Sequence, residues 1–71
     1  MPKLPVVSGR DTIKALSKLG FAAVRQKGSH VVMTGKGRTF AVPLHPELDR
    51  GTLRAILREA NVSVQAFVDA L

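Results

Sequence analysis

The sequence predicts an α+β domain: a three-stranded antiparallel sheet with helices on one face, in the order α-β-β-β-α plus a short C-terminal helix. Three observations carry this. Apolar residues recur at helical spacing in two stretches, Ile13 to Leu19 and Leu53 to Ala60. Between them lie short runs rich in branched and aromatic residues, broken by Gly28-Ser29 and by Gly35-Lys36-Gly37. With 71 residues the chain is long enough for one domain, residues 1–71. Packing two or three helices onto one sheet face is then the economical way to bury the apolar surfaces.

Each element has its own local reason. Ser8 suits an N-cap, because its hydroxyl can accept from the free N–H groups of a first turn. Asp11 stands three residues on, where a carboxylate favours the positive helix end. Ile13, Leu16 and Leu19 continue the helical period, and Gly20 ends it at the C′ position. Phe21 to Lys27 has β-type composition, and His30 to Thr34 is a second β run. Gly35-Lys36-Gly37 offers a tight turn with glycines able to take positive φ, so Arg38 to Val42 should fold back as a third strand. Pro43 ends it, since proline cannot donate to a ladder.

Leu44 to Gly51 reads as a loop containing Pro46, with Asp49 the candidate N-cap of the next helix. Leu53, Ile56, Leu57 and Ala60 form one apolar stripe. Ser63 caps a last short helix that presents Val64, Phe67, Val68 and Leu71.

Alternation along the strands assigns their faces. Val31 and Met33 point to the core, with Ala22 and Val24 from strand one and Phe40 and Val42 from strand three. His30, Val32 and Thr34 then share the open face with Arg25, Lys27, Thr39 and Ala41. A slip of one residue would reverse this pattern.

Composition narrows the function. Eleven Lys and Arg against five Asp and Glu give a net charge of +6, which favours a polyanionic partner, most often nucleic acid. There are no cysteines, so neither disulfides nor thiolate zinc are available. The two histidines lack metal-ligand spacing, and the scattered carboxylates offer no pair to hold Mg²⁺. No metal or other cofactor is expected. No stretch has the ~20 apolar residues of a membrane helix. Met1 to Pro5 lacks the apolar run of a secretory signal, so a cytoplasmic location is expected. Trp and Tyr are absent, and Phe21, Phe40 and Phe67 read as core, so there is no aromatic platform for stacking bases.

His30 is the first candidate for chemistry. It follows Gly28-Ser29, where unhindered backbone N–H groups can approach a phosphate. Imidazole exchanges protons near neutral pH, and on RNA the proton to take is that of a 2′-hydroxyl. Lys27, Lys36 and Arg38 are near in chain order and could steady the phosphate. A strand histidine that merely packs or bonds a neighbour accounts for its position equally well. His45 could be a second acid or base, although bracing the turn into the second helix is the simpler role. Arg50, Arg54 and Arg58 line one side of that helix and could track a phosphate backbone, meet an acidic protein, or simply face solvent. Gly35-Lys36-Gly37 lacks Walker spacing and reads as a turn.

Taken together, Pro5-Val6-Val7-Ser8-Gly9-Arg10-Asp11, Leu19-Gly20-Phe21, Arg25-Gln26-Lys27-Gly28-Ser29-His30, Val42-Pro43-Leu44-His45 and Gly51 through Ala60 resemble the HicA family of bacterial toxins. The likeness continues into Val62 to Phe67 and so covers nearly the whole chain, though no single motif is specific. It implies a fold like the double-stranded RNA-binding domain with an extra C-terminal helix. It also implies a metal-independent endoribonuclease that cleaves mRNA with a single catalytic histidine, His30, and arrests translation and growth. Lys27, Gly28, Ser29, Lys36, Arg38 and Arg54 are the residues expected to bind RNA. The implied partner is an antitoxin of the HicB type covering the active face, with the toxin monomeric alone and hetero-oligomeric in the complex. An RNA-binding module of the same fold without catalysis is the alternative. One departure is Ala66, where relatives often carry an acidic residue that completes a capping box with the serine of the last helix.

Overall fold

The structure is a computed structural model and describes residues 3–71; Met1 and Pro2, part of the start read for a signal, lie outside the described residues. The elements are α1 (Gly9–Lys18), β1 (Ala22–Lys27), β2 (His30–Gly35), β3 (Arg38–Pro43), α2 (Arg50–Ala60) and α3 (Val64–Ala70). The strands form one antiparallel sheet in the order β1-β2-β3. The α+β architecture read from the sequence is therefore the one observed. No helix among the described residues is long and apolar enough to cross a membrane.

The caps decide where the helices begin. Ser8 Oγ accepts from Asp11 N at 3.0 Å, and the Asp11 carboxylate accepts from Ser8 N at 3.5 Å, a reciprocal capping box. Leu19 is the C-cap of α1 and Gly20 follows at φ +101°, the C′ role expected of it. Asp49 occupies the N-cap of α2, but its side chain makes no capping hydrogen bond. Ser63 Oγ accepts from Ala66 N at 3.1 Å, which is half a capping box. Ala66→Glu should add the other half and stabilise the fold by about 0.5–1 kcal/mol. Chemical denaturation measures this, and an unchanged or lower midpoint would contradict it.

The core lies between the sheet and the helices. Leu16, Met33, Val42, Leu53 and Phe67 are almost fully buried. Phe21 and Phe40 meet edge to face, 5.4 Å between ring centres. The stripe Leu53, Ile56, Leu57 and Ala60 is buried throughout, as its spacing required.

Strand β1 departs from the expected faces. Ala22 pairs with Thr34 and Ala23 with Met33, whereas Arg25 pairs with Val32 and Lys27 with His30. Val24 falls in the irregularity between Ala23 and Arg25. Directly opposed residues share a face, so Ala22 belongs with Thr34 on the open side rather than in the core. Val24 is 57% exposed and was wrongly assigned to the core as well. The bulge adds one residue to β1 and shifts the phase of alternation at mid-strand. Beyond it, Arg25 and Lys27 stand on the open face as expected.

The second hairpin also differs in detail. Lys36 (φ +51°) and Gly37 (φ +74°) take the left-handed conformations of the turn. A Cβ on Gly35 would lie 2.8 Å from the Gly20 carbonyl oxygen and from the Phe21 ring, so this position is glycine because backbone and ring come close.

Candidate active site

The hairpin joining β1 to β2 places His30. Gly28, at φ +60°, and Ser29 form a two-residue connection between Lys27 and His30, which are cross-strand partners. His30 is exposed at the first position of β2. Its other neighbour is Pro43, the last residue of β3. One step further out, Leu44 N donates to the Ser29 carbonyl at 2.6 Å.

The same corner receives the start of α1. Gly9 N donates to the His45 carbonyl at 3.0 Å, and Leu48 N donates to the Val7 carbonyl at 2.8 Å. Gly9 is buried so tightly against Pro43 and Leu44 that a Cβ there would overlap the Pro43 carbonyl oxygen. Helix α2 also starts here, because the chain reaches it within a short loop from the end of β3. At the other end of α2, Arg38 Nη1 donates to the Glu59 carbonyl at 3.1 Å, so α2 runs antiparallel to β3. Two helix N-termini therefore lie at this end of the sheet, on the helix side; that of α1 is already capped by Ser8 and Asp11. The unused side chain of Asp49 leaves first-turn N–H groups of α2 without a capping carboxylate.

The expected binding residues separate into two groups. Lys27, Gly28 and Ser29 surround His30. Lys36 and Arg38 do not join them. Gly35 pairs with Arg38 at one end of the β2–β3 ladder and His30 with Pro43 at the other. At the rise of a strand this separates Arg38 from His30 by roughly 16 Å. Proximity in chain order misled here because a hairpin carries its turn away from the first residue of its first strand. Both side chains have neighbours at the far end: Lys36 Nζ lies 5.5 Å from the centre of the Phe21 ring, and Arg38 bonds α2. Arg54 is exposed midway along α2, and Arg50 is exposed at its first position, nearer the His30 corner.

Two features escaped the sequence reading. Arg25 was placed on the open face but not counted among phosphate ligands, although it stands one open-face position from Lys27. His45 was left without a fixed distance from His30, and the ladder brings the two to one corner. Among the described residues no group of three His, Cys, Asp or Glu side chains comes together as metal ligands.

A groove of about 790 Å³ opens on the helix side of the sheet, between α1 and the exposed edge strand β1. Arg10, Ile13, Lys14, Val24, Val31 and Leu44 line it, and His30 does not.

The sequence compares with known proteins in one informative way. No curated protein sequence matches it. The sequence model of one family, described as the HicA toxin of bacterial toxin-antitoxin, matches residues 9–62. That span runs from the first residue of α1 past the end of α2 and includes the whole sheet and the His30 corner. The chain belongs to the HicA toxin family of bacterial toxin–antitoxin systems.

Proposed function

We propose that this toxin is an endoribonuclease that cuts mRNA without a metal ion, and that His30 takes the proton of the attacking 2′-hydroxyl. The placement of His30 carries the reading: an exposed imidazole at a strand end, opposite Lys27 and beside the Gly28-Ser29 turn. The 2′-oxygen attacks the adjacent phosphorus in line, and Lys27 with the backbone N–H groups of Gly28 and Ser29 meets the charge that builds on the phosphoryl oxygens. Arg54, Lys36 and Arg38 bind RNA further from the cut, and their charge supports affinity rather than the chemical step. An antitoxin of the HicB type would silence the protein by covering the open face, and both would act in the cytoplasm.

Incubating the protein with labelled RNA in EDTA tests the reading. Fragments are expected from unmodified RNA, with a loss of cleavage by at least about two orders of magnitude on 2′-O-methyl RNA, which has no 2′-proton to give. Equal cutting of both substrates, or binding without fragments, would refute it.

A further inference from the structure

We infer that His45 is the second proton carrier of the site, the acid that protonates the departing 5′-oxygen; this rests on the endoribonuclease reading above. Its backbone neighbours place it. The Ser29 carbonyl accepts from Leu44 N, and each histidine follows one member of that bonded pair. His30 thus lies one residue inside the pair and His45 one residue outside it. Their Cα atoms are then on the order of 8 Å apart, a span in which two imidazoles can flank one phosphate.

Pairing and exposure place the residue further. Leu44 lines the groove on the helix side of the sheet. Pro43, its predecessor, pairs with His30 at the end of the ladder, and His45, two residues beyond that pair, is exposed beside it. Pro46 keeps His45 extended.

The loop is also held in place. Three backbone hydrogen bonds tie it to its surroundings: Leu44 to Ser29, Gly9 to His45 and Leu48 to Val7. The bracing role belongs to the carbonyl of His45, not to its ring, and the residue is exposed. A proton donor pays off only when its position is set before the reaction begins.

The step balances without a co-reactant. The 2′-hydroxyl gives its proton to neutral His30 as the new P–O2′ bond forms. The P–O5′ bond breaks as protonated His45 gives its proton to O5′. The products are a 2′,3′-cyclic phosphate and a free 5′-hydroxyl, and proton exchange with water resets both rings.

The experiment uses an RNA that the wild-type protein cuts, remade with sulfur in place of the bridging 5′-oxygen at the cut. A thiolate leaves without help from an acid. His45→Ala and His45→Gln are expected to cut the oxygen substrate about 100-fold or more slowly than wild type, and the sulfur substrate within a few-fold of it. His30→Ala should be slow on both. Wild-type rates on the oxygen substrate for either His45 variant would overturn the inference. So would equal slowing on both substrates, which would mean that His45 only binds or braces. Failure of the wild-type protein to cut any RNA would instead sink the underlying endoribonuclease reading.

Discussion

His30→Ala is expected to lower RNA cleavage by two to four orders of magnitude while leaving the protein folded. The loss is large because the imidazole is assigned to the proton whose removal creates the nucleophile. The fold should survive because the side chain is exposed and the ladder around it runs through backbone atoms. An exposed substitution of this kind typically shifts stability by no more than ~0.5 kcal/mol. Expression of wild type and variant side by side reads both sides of the claim: growth arrest and mRNA loss with the first, neither with the second. Thermal unfolding of the two proteins checks that the variant is intact. A folded His30→Ala protein with full activity would remove His30 from the mechanism.

Phe67→Ala should cost about 3–5 kcal/mol, the largest stability effect expected from a single truncation here. Phe67 is fully buried and is the only buried residue of α3. Helix α3 packs on α1, so the ring closes the core from outside the span that matches the family model, which ends at residue 62. A chain of 71 residues has a total stability of roughly 4–11 kcal/mol at typical values per residue. Removing one ring would therefore consume much of it. Denaturant unfolding should show the midpoint falling steeply, with proteolysis exposing the C-terminal helix first. A shift below about 1 kcal/mol would show that α3 is dispensable to the core. RNA cleavage is expected to fall in step with the folded fraction, because Phe67 is fully buried in the core and offers nothing to a substrate.

Much of the fold is legible in the sequence because its signals are local. Ser8, Gly20 and Ser63 act through atoms within four residues of themselves, and each took its expected role. The α2 stripe needs only the helical period, and all four of its residues are buried. Asp49 shows the limit of such rules: it sits at the N-cap, yet nothing in the sequence says that its carboxylate makes no hydrogen bond to the first turn.

The candidate site was legible only in part. Lys27, Gly28, Ser29 and His30 are contiguous, so one hairpin assembles them and their order in the chain is their order in space. Lys36 and Arg38 look equally close in sequence but stand at the opposite end of the ladder. His45 looks remote and is near.

What the sequence determined by itself is the element order, the caps, the apolar stripes and the basic character of the chain, because each depends on residues a few positions apart. The tertiary structure alone decided which face Ala22 and Val24 take, since a single extra residue in β1 is invisible until the strand is paired. It also decided the company of His30. Cross-strand register, set by pairing between distant residues, moved two cations away from the histidine and brought a second histidine to its corner.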